Sequence, residues 1–333
     1  MEQDGEAYSV NITSRCRKRT NLTAMQIEHL KRIEISLPFV ADLAHAYLYL
    51  YVQTKEPGKM LVLKHYRPHT FFSEVELTGE GAFVSTLEEP LIAAAFAKGK
   101  FIQGQREWRF GINLEMYVQP IKCGNDVIGV VSLETGHSYA NSSNYHQLMD
   151  TALYLLDYAK KPLDKDEFHP MSPGTGIIIA DSNNRIVFAN LSANRIYRAL
   201  GIASLVGCRM QDRELSAMLH KETIDSSRPY EREIQIRDFV LVQRDIKLEE
   251  AGMLKRRIML LSDVSELRKK EREIKIKSAV IQEIHHRVKN NLQTIASLLR
   301  LQARRSKVSE VKSALQESTN RILSMSVVHE FLS

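Results

Sequence analysis

Apolar residues recur every seven positions at Ile274, Ile281, Val288 and Ile295, and Ile284, Leu292 and Leu298 widen that stripe. Such a period predicts one face of an α-helix buried in a bundle. His286 lies off the stripe. At about 100° per residue it sits roughly 140° around the helix from Ile281. Lys289, Asn290 and Gln293 follow it at i+3, i+4 and i+7 and share its polar face. The apolar pattern breaks at Arg305-Ser306-Lys307 and resumes through Val311, Leu315, Ile322, Met325 and Leu332. Residues 266–333 therefore read as a signalling helix running into a helical hairpin, its first helix ending near Arg304. Two helices of this kind cannot enclose a core alone, so a homodimer closing into a four-helix bundle is expected.

Upstream the period changes to two. Tyr47-Leu48-Tyr49-Leu50-Tyr51-Val52 alternates aromatic with aliphatic residues, which predicts a strand with one face of each kind. Before it, Thr23 and Gln26 form a capping box for a helix carrying Ile27, Leu30 and Leu37, interrupted at Pro38. After it come a strand from Leu61 to Tyr66 and a short helix from Pro90 to Ala97. A hairpin then pairs Met116–Ile121 with Val127–Leu133 across Gly124-Asn125, and an apolar-faced helix spans Asn144–Ala159. These elements predict an α+β sensor domain over 20–160, preceded by an N-terminal tail over 1–19. Pro162, Pro170 and Pro173 lie among Asp164, Lys165, Asp166 and Glu167, which marks a linker over 161–173. A second α+β domain is expected over 174–265. It has a buried strand from Gly174 to Asp181, a turn at Asn183-Asn184, a strand from Arg185 to Ala189 and a helix opened by Asn190. Later strands are Glu233–Ile236, Val240–Arg244 and Arg257–Leu261. The fold class is thus α+β, two antiparallel-sheet sensor domains with flanking helices, followed by the hairpin.

A chain of 333 residues has room for two or three domains, and its 44% hydrophobic and 26% charged content is ordinary for a globular protein. The apolar run from Val40 to Val52 is too short to span a bilayer and contains Asp42 and His45. Glu2, Asp4 and Glu6 do not make the basic start of a signal peptide, so a cytoplasmic protein without membrane contact is expected. Cys16, Cys123 and Cys208 are widely spaced and odd in number, which suits reduced thiols. The net charge of +6 comes largely from Arg268, Lys269, Lys270, Arg272, Lys275 and Lys277, interleaved with Glu271 and Glu273. A solvated helix with ion pairs explains that run better than direct nucleic-acid binding. Pro68 between His65 and His69 argues against a helical metal pair, and the residues around Cys208 do not make a flavin-reactive motif. Tyr47, Tyr49 and Tyr51 are read as packing residues, on a face that could also meet a ligand or the N-terminal helix.

The chemistry concentrates in Glu283-Ile284-His285-His286-Arg287-Val288-Lys289-Asn290-Asn291-Leu292-Gln293. This uninterrupted segment resembles the phosphoacceptor helix of one subfamily of sensor histidine kinases. The order of elements over 20–160 resembles the GAF-related domain of that subfamily. The strand–turn–strand–helix start at Gly174 and the exit Asp263-Val264-Ser265 resemble a PAS domain. The resemblance implies that His286 accepts the γ-phosphoryl group of ATP, supplied with Mg, and passes it to an aspartate of a response regulator. It also suggests a regulator with an RNA-binding antitermination output domain. His285, toward the core side, is the weaker acceptor candidate.

Each role has a plainer alternative. His286 could be an ordinary surface histidine, but Arg287 and Lys289 supply cations beside an imidazole free to attack in line. Many relatives place an acidic residue directly after the phosphohistidine, whereas here that position is Arg287. Glu283, one turn earlier, is a candidate base, or simply the i,i+4 ion-pair partner of Arg287. Asn290 stands where relatives orient a water for partner dephosphorylation, or it is a solvated amide. Asn291, at the stripe's edge, suits helix register. No Asn-bearing magnesium helix or Asp-x-Gly-x-Gly box follows Val327-Val328-His329-Glu330-Phe331-Leu332-Ser333. The expectation is therefore the sensory and phosphoacceptor portion of a kinase, inactive alone because its ATP-binding domain is missing. Alternatives are a stand-alone histidine phosphotransfer protein and a non-catalytic dimeric ligand-binding regulator. No residue set names a sensor ligand.

Overall fold

The alternation of Tyr47–Val52 divides the first sheet into two differently covered faces. A computed structural model describes residues 12–70, 78–109, 112–136, 145–158, 168–212, 223–228, 231–236 and 238–331. The expected tail up to residue 11, the linker from 161 to 167 and Leu332 lie outside these described residues. Residues up to Asp263 form one compact unit and those from Val264 onward another.

In the first unit, α1 (Ile12–Arg19), α2 (Ala24–Glu34) and α3 (Leu37–Ala44) precede β1 (Tyr47–Gln53), β2 (Lys59–Tyr66), β3 (Phe83–Ser85) and α4 (Pro90–Lys98). β4 (Ile102–Arg109), β5 (Ile112–Cys123), β6 (Asp126–Gly136) and α5 (Tyr145–Tyr158) follow. The antiparallel sheet has the order β3-β2-β1-β6-β5-β4. Leu48, Leu50 and Val52 face a core with Leu30 of α2, Leu37 of α3 and Leu155 of α5. Tyr47, Tyr49 and Tyr51 turn the other way, against Ile92 and Phe96 of α4. The tyrosines thus pack away from the N-terminal helices. Thr23 and Gln26 make the capping box, each side chain accepting from the other's backbone N–H at 3.3 and 2.9 Å. Pro38 ends one helix and occupies the first turn of the next, where its missing N–H costs nothing.

Several elements went unforeseen, α3 beyond Pro38 and a strand over Thr223–Arg228 in the second sheet among them. Helix α1 falls where a tail was expected, because Ile12 and Cys16 are buried in the same core as Leu30. Burial pushes the Cys16 thiol up to about 11, so it stays protonated and inert. Strand β3 is only three residues long. Strand β4 reads Ile-Gln-Gly-Gln-Arg-Glu-Trp-Arg, too polar to signal a strand, and it lies at the sheet edge. Its Gly104 leaves room for α4: a Cβ there would stand 2.8 Å from Leu91 Cδ1.

The second sheet comprises β7 (Gly176–Ala180), β8 (Ile186–Ala189), β9 (Thr223–Arg228), β10 (Glu231–Ile236), β11 (Phe239–Glu250) and β12 (Met253–Asp263). Its order is β8-β7-β12-β11-β10-β9, with α6 (Leu191–Ala199) on one face. Asn190 fixes the strand–helix corner. Its Oδ1 accepts from Ala193 N, capping α6, and from Ile177 N, while Nδ2 donates to Thr175 O, all within 2.9 Å. Gly176 passes directly beneath the helix, since a Cβ would lie 3.0 Å from the Ala193 backbone. Strands β11 and β12 extend well beyond the expected Val240–Arg244 and Arg257–Leu261, turning at Ala251 and Gly252, both with positive φ.

The two sheets share a core. Ile177, Ile179, Ile258 and Leu260 belong to the same buried cluster as Leu50 and Leu155. Every residue of β7 is buried, which is why it reads as a continuous apolar run. The expected linker contributes as well, since Phe168 and Met171 are buried in that cluster.

On the tyrosine face, Arg106 bridges Glu89, at the start of α4, and Glu134, at the centre of the sheet. Ser132 adds a hydrogen bond to Glu134 at 3.0 Å. Two carboxylates thus meet one guanidinium in a slab lined by tyrosines. Burial pushes the Glu134 carboxyl up to about 7, against the pull of Arg106. A raised folded-state value means that native protein holds a proton the unfolded chain releases. The stabilisation is full at low pH and is lost as pH rises through about 7. Wild-type protein should therefore lose on the order of 3 kcal/mol relative to Glu134→Gln between pH 4.5 and 8. Parallel urea-unfolding free energies of the two proteins across that range would refute this.

Candidate functional site

The second unit is a helical hairpin, α7 (Ser265–Arg305) and α8 (Ser309–Phe331), separated at Ser306 to Val308. The break lies within one residue of the expected place. Arg304 and Arg305 end α7 in the last turn, where cations complement the helix dipole.

The seam predicted as a single apolar stripe divides in two. His285, Val288, Lys289, Leu292, Ala296, Leu299 and Ala303 are buried or half-buried and follow one another at helical spacing, so they form the side of α7 turned to α8. On α8 the matching residues are Leu315, Thr319, Ile322 and Leu323. Ala296, Ala303 and Thr319 are the most deeply buried of these residues, and their small side chains suit close packing of two helices. The second stripe stays open: Ile281, Ile284, Ile295 and Leu298 are 45–56% exposed. Four large aliphatic side chains along one helix face are costly to leave in water. The alanines seven residues apart, on the same face as Leu292 and Leu299, were the available signal for the α8 side, overlooked because alanine marks a stripe only weakly.

His286 lies on neither apolar stripe and is exposed, whereas the adjacent His285 is half-buried on the α8 side. Asn290 is exposed one turn further on, and Lys289 is half-buried between the two histidine faces. Arg287 Nε donates to Glu283 Oε1 at 2.7 Å across one turn. That hydrogen bond, then the Arg287 charge and the nearby His286, hold the Glu283 carboxyl below its ordinary value. Glu283 is thus a poorer proton acceptor while Arg287 engages it. Asn291 is exposed within the open stripe, seven residues from both Ile284 and Leu298. His286, Glu283, Asn290, Arg287 and Lys289 all fall within two turns of one helix, as expected from their spacing.

The remaining sequence candidates are committed elsewhere. The His65 ring lies 6.3 Å from that of Tyr49, while the His69 ring bonds Asp42 at 3.3 Å. Cys208 is half-buried, with Sγ 3.6 Å from Ser204 O.

Residues 283–333 match a family described as histidine kinase, and residues 12–152 match the GAF domain of histidine kinase PdtaS. The chain is 27% identical to the sensor histidine kinase PdtaS of Mycolicibacterium smegmatis over 95% of its own length and 68% of that protein. The same figures hold for PdtaS of Mycobacterium tuberculosis. Among solved structures, the sensor region of a sensor histidine kinase is matched over 78% of this chain and 99% of that one, with a TM-score of 0.53 at 19% identity. That likeness concerns the fold. Among the described residues, no helix is long and apolar enough to cross a membrane.

If the open stripe is closed by a second copy, Ile281→Asp with Ile295→Asp should turn a dimer into a monomer in analytical ultracentrifugation. The circular dichroism of the sensor unit should be unchanged. A doubly substituted protein that remained dimeric would place the contact elsewhere.

Proposed function

We propose, for a chain that carries the sensory and phosphoacceptor portions of a sensor histidine kinase, that His286 is the residue that accepts phosphate. The observation that carries this reading is an exposed imidazole, clear of both apolar stripes, inside the segment that matches the histidine kinase family. The neutral ring attacks the γ-phosphorus of Mg-bound ATP presented by a catalytic domain. An N–P bond forms, the bond to the ADP oxygen breaks, and the ring loses its N–H proton. Arg287 and Lys289 add positive charge near the incoming group. Glu283 takes the proton once docking draws Arg287 away toward phosphate oxygens; until then the ion pair keeps it quiet. The phosphoryl group then passes to an aspartate of a response regulator. By the family resemblance, that regulator carries an RNA-binding antitermination domain. Asn290, one turn from His286, orients the water that later removes the phosphate from the regulator.

The working form is a cytoplasmic homodimer. Two copies of α7 and α8 close a four-helix bundle over Ile281, Ile284, Ile295 and Leu298, leaving His286 on its outside. The sensor sheets bias this bundle through the chain that leaves Asp263 for α7.

With a cognate catalytic domain and ATP supplied, the wild-type chain should acquire acid-labile phosphate and His286→Gln none. Label retained in His286→Gln would move the acceptor to another residue. Glu283→Gln should slow labelling by about a hundredfold, in the range of lost general-base catalysis. An unchanged rate would reduce Glu283 to an ion-pair partner. Asn290→Ala should label normally yet dephosphorylate the regulator roughly tenfold more slowly. Equal loss of both activities would remove its proposed role.

A further inference from the structure

Helix α3 is apolar and buried at every position but Pro38, with one charged residue, Asp42, fully buried. An unpaired buried carboxylate is costly, and nothing in the packing of α3 needs one. Its partners come from distant parts of the chain. Oδ1 accepts from the backbone N–H of His69, just after β2, and Oδ2 accepts from the backbone N–H of Met171 at 2.8 Å, in the segment between the sheets. The His69 ring lies 3.3 Å from both oxygens, and Thr70 Oγ1 donates to the Asp42 carbonyl at 3.1 Å. Burial raises the carboxyl above its ordinary value, and these hydrogen bonds oppose that rise.

Around this carboxylate the second sheet reaches the first. Phe168 stands edge-on to Phe39 of α3, ring centres 5.5 Å apart at 88°. The guanidinium of Arg244 of β11 lies over the Phe39 ring, 5.6 Å from its centre, and donates to the His169 carbonyl at 3.0 Å. His169 in turn meets Glu231 of β10 at 2.8 Å. Residues 168–171 are therefore held from both sides, by α3 through Asp42 and Phe39 and by the second sheet through Arg244 and Glu231. On the other side, α3 runs through His45 directly into β1, whose tyrosines face the Glu89–Arg106–Glu134 cluster.

We propose that Asp42 is the latch that couples the two sensor domains, so that a change in the first sheet is felt in the second through the 168–171 segment. A flexible spacer would let each sheet respond alone. Here one buried carboxylate accepts the N–H of His69 on one oxygen and that of Met171 on the other, and moving α3 must strain or release both. The latch acts with the common core, which already packs Phe168 and Met171 beside residues of both sheets.

Hydrogen exchange on the full chain tests this, with Asp42→Asn compared to wild type. The asparagine keeps the shape but sets an N–H against one of the two amides. The Met171 and His69 amides should exchange at least tenfold faster, with protection in β1, β6, β7 and β12 retained. The single unfolding transition of the sensor unit should separate into two. Unaltered Met171 exchange, or wild-type sheets that already unfold separately, would overturn the proposal. Should Asp42→Asn fail to fold, Arg244→Gln loosens the same segment from the other side. It should speed exchange at Met171 by a similar factor, and no change there would equally overturn it.

Discussion

One helix has to satisfy three environments at once. Around α7, the first third meets α8 through Leu292, Ala296 and Ala303. The second third presents Ile281, Ile284, Ile295 and Leu298, which nothing among the described residues covers. The last third keeps His286 and Asn290 in water. The hydrophobic cost of the open stripe is what asks for a second copy. Because that stripe is set apart from His286 on the helix circumference, association leaves the imidazole accessible. Rotating α7 by one residue would bring the histidine toward the apolar seam and a lysine or glutamate into it. Function and assembly are therefore fixed by the same angular arrangement.

The sensor unit applies a different constraint. Its sheets do not hang as separate beads, since β7 is buried on both faces and shares a core with α3, α5 and β1. A small α+β domain buries only part of its chain, and adding a second sheet to the same core improves that fraction. It also makes the sensor respond as a whole. The buried charges sit where that response would be set. The Arg106 bridge ties α4 to the centre of the first sheet, and Asp42 ties α3 to the segment that enters the second.

Much of this was legible from residue order alone. Seven-residue spacing placed the hairpin and its break, and alternation placed β1 with its aromatic face opposite the aliphatic one. Thr23 with Gln26 announced α2, and Asn190 announced α6, because capping chemistry is local. What escaped depended on contacts distant in sequence. Helix α1 is eight residues with a basic end, and only its burial of Ile12 and Cys16 makes it part of a domain. Strand β4 is polar because it lies at an edge. The prolines near Pro170 suggested a free linker, yet Phe168 and Met171 are core residues. The division of the α7 stripe was harder to read: aliphatic side chains mark both the intrachain seam and the open one, and only Ala296 and Ala303 set the α8 side apart. At Glu283 the sequence left two roles standing. The geometry places it in the ion pair, with its carboxyl lowered, so any basic role must begin by breaking that contact.

The angular division of α7 is the centre of this account, and site-directed spin labels placed singly from 281 to 298 in the full chain test it most directly. Labels at positions 281, 284, 295 and 298 should be immobilised and shielded from a water-soluble relaxation agent, whereas those at 286, 290 and 293 should be mobile and accessible. A label at 286 as immobile and shielded as one at 295 would contradict it.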